Sequence, residues 1–192
     1  MDGGLRSPLY PQFWKADCPS KVTLFCWLAR EDKISTLSNL SKKGCNIQCA
    51  TDTCVLCHKN SETAEHLLLN CEFSERIWHF FGQILDLQSH PQSLLEVWTS
   101  WIPSIESQQQ LLWDLLSRAI FWSIWFERNN RIFNLNVLSP ISIIIKAIHL
   151  LLAWIFAARD PHQHFPSDSL QNLRRSLDFL SARSADQAGS TT

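Results

Sequence analysis

The chain has 192 residues with 17 basic and 18 acidic side chains, nine tryptophans, eleven phenylalanines, one tyrosine and five glycines. It is long enough to bury a real core. Its balanced charge excludes a polyanion binder driven by a large cationic excess, and its few glycines leave little room for a glycine-rich phosphate loop.

Taken in order, the first expected element is a helix from about Lys21 to Arg30 behind Pro19, burying Val22, Phe25, Cys26 and Trp27. A second runs from the N-cap Thr36 to Lys43, with Leu37 and Leu40 inward and Gly44 as a left-handed stop. Residues 46–53 are polar and loop-like, and His66 then rides on a short helix with Leu67 and Leu68. Ser74 is expected to cap the next helix, with Phe73 stapled onto Trp78 and Ile77, Phe80, Phe81, Ile84 and Leu85 at helical spacing.

A polar, proline-containing connection from Asp86 to Glu96 precedes a long helix from about Ile105 to Phe133. Its Leu111, Leu112, Leu115, Leu116, Ala119, Ile120, Trp122 and Trp125 form a wide apolar face. Ser139-Pro140 opens a further helix to about Ala158, stopped by Asp160-Pro161. Its apolar stretch is short for a membrane span and is interrupted by Lys146 and His149, so it is expected as a core helix with no membrane partner. Leu170, Leu173, Leu177 and Leu180 mark a last amphipathic helix with Arg174 and Arg175 outward, and the small, polar residues that follow read as disordered.

The chemistry is concentrated at Cys54, Cys57, His66 and Cys71, whose C-x2-C-x8-H-x4-C spacing fits a closed tetrahedral zinc site. The two thiolates of the first pair sit on one tight turn, and the histidine and third cysteine arrive from a following helix. Four protein ligands leave no position for a reactive water, so the expected Zn2+ is structural. Cys49 is an alternative ligand, but the gaps around Cys45 and Cys49 make a poorer knuckle, and both read as small buried or half-buried residues, as do Cys18 and Cys26. Glu62 is either a partner behind His66 or a solvated helix-start carboxylate. Seven cysteines, an odd number, and a start without an apolar signal segment argue against a disulfide framework. The expected location is intracellular, in nucleus or cytoplasm, and not secreted.

Phe13-Trp14-Lys15, Pro19-Ser20-Lys21-Val22, Phe25-Cys26-Trp27, Thr36, Leu40 and Lys43-Gly44 precede Cys54-Val55-Leu56-Cys57, Glu62, His66-Leu67, Cys71 and Trp78. In this order they resemble the zinc-binding domain found behind the reverse transcriptase of plant non-LTR (LINE-type) retrotransposons. The likeness covers about residues 10–85 and continues more weakly through residues 120–133, which are similar to a tryptophan and Arg-Asn motif that follows that domain. It implies an accessory part of a retroelement protein that helps hold nucleic acid, here detached from any polymerase or ribonuclease H. Neither enzyme is visible: no Tyr-x-Asp-Asp motif occurs and the later carboxylates are scattered.

The expected architecture is all-α: a zinc-stapled module over residues 10–85, a helical extension over 95–182 and a disordered tail over 183–192. Two functions of different class fit it. One is weak, sequence-tolerant binding of RNA or DNA through Lys15, Lys21, Lys42 and Lys43, with Arg30 and Lys33 nearby. The other is a scaffold that meets a protein partner through its Trp-rich later helices. Trp14, Trp27 and Trp78 are expected in the core, and Arg128 and Arg131 as a helix-end charge pair with Glu127.

Overall fold

The computed structural model describes residues 13–44, 52–87, 90–158 and 165–189. Among them the architecture is all-α, with one isolated antiparallel bridge between Thr53 and Ser61. In chain order the helices are α1 (Ser20–Arg30), α2 (Leu37–Lys42), α3 (Glu72–Ile84), the single turn α4 (Ile102–Ser104), α5 (Ser107–Phe133), α6 (Pro140–Ala157) and α7 (Ser167–Gly189). Wider π-helical turns at His66–Asn70 and Val97–Trp101 lead into α3 and α4.

The local signals act as expected at several ends. Thr36 Oγ1 accepts the Asn39 amide at 3.3 Å to start α2, and Gly44 takes φ +68° behind it. Ser139 Oγ accepts the Ser142 amide at 3.2 Å, with Pro140 at the first position of α6. Ser74 differs from expectation. Helix α3 begins one turn earlier, at the extended Cys71, and the buried Ser74 hydroxyl instead donates to the Leu67 carbonyl at 2.5 Å. Trp78 Nε1 donates to the Leu68 carbonyl at 2.9 Å. A π-helical turn shifts its carbonyls out of the usual i→i+4 ladder, and the next helix supplies the missing donors.

One apolar core runs from Phe13 to Leu180 and joins the two expected regions. Helix α5 is its axis: Leu112, Leu115, Leu116, Ala119, Ile120, Phe121 and Ile124 are all buried. It packs against α1, α4, the first π-helical turn and, most extensively, α6. Edge-to-face aromatic pairs link α3, the second π-helical turn and α5, with Trp78 at 5.6 Å from Phe121 and Trp101 at 5.4 Å from Trp113. Such pairs contribute about 0.5–1.5 kcal/mol each beyond their burial. Arg118 is fully buried beneath Phe13 and Trp98, ion-paired to Asp114 at 2.9 Å, and donates to the Phe13 carbonyl at 3.1 Å. That bond ties the start of the described chain to α5.

Helix α6 is long and apolar enough to cross a membrane by length and composition alone. In this fold Ile143, Ile144, Ala147, Ile148, Leu151 and Trp154 form its buried face, while Phe156 is 92 % exposed. Two expectations change, those for two of the tryptophans and for the tail. Trp14 is 44 % exposed rather than in the core and Trp27 is half-buried, whereas Trp78 is buried. Residues 97–104, which carry no clear period, form turns that bury Val97, Trp98, Trp101 and Ile102. The tail expected to be disordered from residue 183 continues α7 as far as Gly189, as its alanines, arginine and glutamine favour helix.

Candidate metal centre

The zinc knuckle is built from short-range backbone geometry. Thr53 and Ser61 bridge the ends of a loop, and the Cys54 amide donates to the Asn60 carbonyl at 2.7 Å. The His58 amide returns to the Cys54 carbonyl at 2.8 Å, with His58 at φ +57°, which closes the Cys54–Cys57 turn. Thr63 then caps the helical segment that carries the next ligand, its Oγ1 accepting the His66 amide at 3.0 Å. The π-helical turn delivers His66 and ends at Cys71, the residue from which α3 departs.

The four ligand atoms of Cys54, Cys57, His66 and Cys71 all lie within 4.8 Å of one another. Cys54 and Cys71 sulfurs are 3.9 Å apart, and Cys57 sulfur is 3.3 Å from His66 Nε2. A tetrahedron with Zn–S near 2.3 Å and Zn–N near 2.0 Å requires edges of about 3.5–3.8 Å, so the donor set fits zinc in chemistry and in size. Burial is graded, with Cys54 and Cys71 inside and Cys57 and His66 half-exposed. These residues form a structural zinc site with four protein ligands, and Cys45 and Cys49 lie outside the described residues.

Without metal the buried thiols share a proton. Cys54 is pulled down from 9.0 to about 5, first by the hydrogen bond from Cys71 and then by the Cys57 and Leu56 amides and the His66 charge, against the opposing effect of burial. Cys71 is pushed up by the same bond and by burial. Backbone amides aimed at Cys54 favour a thiolate, the form that binds zinc.

The long helix holds this knuckle from behind, a contact that no local spacing in the sequence signals. Glu62 is fully buried. It is not solvated, and its side-chain bonds among the described residues run elsewhere than to His66: its Oε1 accepts from Arg128 Nε at 3.1 Å, Arg128 Nη2 at 2.8 Å and the Leu37 amide at 2.9 Å. Arg128 Nη2 also donates to the Ser35 carbonyl at 3.1 Å. One carboxylate therefore joins the knuckle, the start of α2 and α5. The expected Glu127 pair does form, to Arg131 at 2.7 Å. Arg131 Nη1 goes further, donating to the Val55 and Leu56 carbonyls at 3.3 and 3.2 Å, inside the Cys54–Cys57 turn itself. The Arg128-Asn129-Asn130-Arg131 run was the available signal; its partners, some seventy residues away, were not legible.

The four lysines expected to meet phosphate are exposed, yet they do not make one patch of equal strength. Lys42 is 3.8 Å from Asp32 and Lys43 caps α2. Lys15 borders a cavity of about 310 Å³ together with Asp17 and Asp114. Lys21 Nζ lies over the Trp122 ring at 5.6 Å.

Residues 4–78 match the family described as zinc-binding in reverse transcriptase. The matched family is the zinc-binding domain rather than a polymerase, and the match ends before the arginines of α5 that clasp the site. No curated protein and no solved structure matches the chain.

Proposed function

We propose that the chain is a non-catalytic, zinc-stabilised accessory module of a reverse-transcriptase polyprotein, of the kind carried by plant LINE-type elements, and that it helps hold RNA or DNA inside the cell. The observation that carries this is a closed Cys3His ligand set lying within the segment that matches the reverse-transcriptase zinc-binding family. A closed set has no site for a reacting water, so the metal's work is folding. Reduced thiols at every ligand position suit an intracellular setting. Lysines 15, 21, 42 and 43 supply phosphate contacts in this reading, with little sequence information.

A protein-interaction scaffold is the second reading, favoured by the exposed Phe133, Leu135 and Val137 between α5 and α6. Fluorescence anisotropy of the zinc-loaded protein with labelled single-stranded and duplex oligomers over a salt series separates the two. Weak, sequence-tolerant binding that fades with salt supports the module, and no binding at low salt transfers the assignment to the scaffold.

A further inference from the structure

Lysines whose own helices carry no free carboxylate lie in a different place from the lysines at the end of α2. Helices α1 and α6 contain no aspartate or glutamate. The only carboxylates of α5, Asp114 and Glu127, are engaged by Arg118 and Arg131. These three helices therefore show cations without exposed carboxylates of their own, in a chain whose overall charge is balanced. Asp17, just before α1, is the nearest acidic group in sequence to Lys21.

On α5, Trp122 and Phe126 stand one turn apart, Trp122 half-buried and Phe126 53 % exposed. Each carries a lysine over its ring from a flanking helix: Lys21 of α1 on Trp122 at 5.6 Å, and Lys146 of α6 on Phe126 at 5.2 Å. Lys146 forms no ion pair among the described residues. Phe25 packs at 5.5 Å against the edge of Trp122, which fixes that ring while leaving it half-exposed.

We propose that this strip, α5 between α1 and α6, is the seat of a single strand of nucleic acid, with bases against Trp122 and Phe126 and phosphates on Lys21 and Lys146. The proposal rests on the nucleic-acid reading above and gives it a location. Charge complementarity selects a polyanion, and exposed rings select a strand whose base faces are free, since a duplex hides those faces in its own stack. A lysine that leaves an aromatic face for a phosphate vacates that face for a base. Stacking and charge then act within one helical turn.

The test is anisotropy with fluorescein-labelled oligo(dT) and oligo(rU) of about a dozen nucleotides, a length within the usual site size of such surfaces. Phe126→Ala should weaken binding to both oligomers by roughly tenfold. Lys146→Glu should weaken it further and lower the salt slope by about 0.7. Both side chains are outside the core, so zinc content and melting temperature should stay at wild-type values and show that the variants are folded. If Lys42→Ala with Lys43→Ala abolishes binding while Phe126→Ala and Lys146→Glu leave it unchanged, the strip is wrong and the nucleic-acid reading stands. If the wild-type protein binds neither oligomer at low salt, both fall.

Discussion

The zinc knuckle, residues 52–71, and the helical pair α5–α6 are held by different physics, although they share one core. The helical pair buries a continuous row of leucine, isoleucine, phenylalanine and tryptophan side chains, so burial near 25 cal/mol per Å² of apolar area supplies its cohesion. The knuckle buries Leu67, Leu68 and Leu69 as well but adds polar groups: four metal ligands, a buried glutamate and backbone carbonyls held by an arginine. Small segments without enough apolar mass need such staples. Here the staple is anchored to the apolar part, because Arg128 and Arg131 belong to α5.

Removing the metal should break the comparison most strongly. Structural zinc sites contribute on the order of 10 kcal/mol to folding their segment. Chelation or Cys57→Ser should expose residues 52–84 to protease while α5 and α6 remain protected, and limited proteolysis with mass mapping reads the difference. Acid should act in the same direction. Zinc binds only the thiolate and neutral-imidazole forms of its ligands, so the metal-free state holds more protons and gains as pH falls. The low value of Cys54 favours its thiolate down to about 5 in the metal-free chain, but Cys71 is pushed up and sets the proton competition. Zinc should be held at pH 8 and released as the pH falls toward 5, as a chelating dye would report.

The clasp comes next. Glu62→Ala strands Arg128 in a buried site and should cost about 3–5 kcal/mol of stability, measured by urea unfolding of the zinc-loaded protein. Phe121→Ala, in the apolar region, should cost a similar 3–5 kcal/mol, yet leave zinc affinity unchanged. A smaller effect belongs to Arg131→Ala, which frees the Val55 and Leu56 carbonyls and should lower zinc affinity by about 10- to 100-fold in competition with a chelator. Cys18→Ser is the smallest. Its sulfur is half-buried and meets Thr23 Oγ1 at 3.2 Å and the Arg118 guanidinium, contacts a serine hydroxyl can also make, so less than about 1 kcal/mol should be lost.

The parts legible in the sequence are those set by local spacing. Thr36, Gly44 and Ser139-Pro140 mark helix ends through hydrogen bonds that reach only a few residues, and the ligand spacing of the knuckle is a local property too. Long-range polar pairing was not legible. Glu62 and Arg128 are each ordinary surface residue types, and only the packing of α5 behind the knuckle turns them into a buried pair. Ser74 misled for a related reason: its hydroxyl has a cap's chemistry, but the π-helical turn before it offered a better acceptor. Lys146 interrupts an apolar helix in the sequence, and its place over Phe126 depends on how α6 crosses α5.

Zinc stoichiometry by native mass spectrometry of the purified chain tests the central claim most directly. One zinc per chain should be present in the wild type. It should be absent in Cys57→Ser and in Cys71→Ser, and weakened but present in Arg131→Ala, with every sample otherwise treated alike. A wild-type chain that carries no zinc after refolding with the metal, or one zinc that survives both cysteine substitutions, would contradict the account.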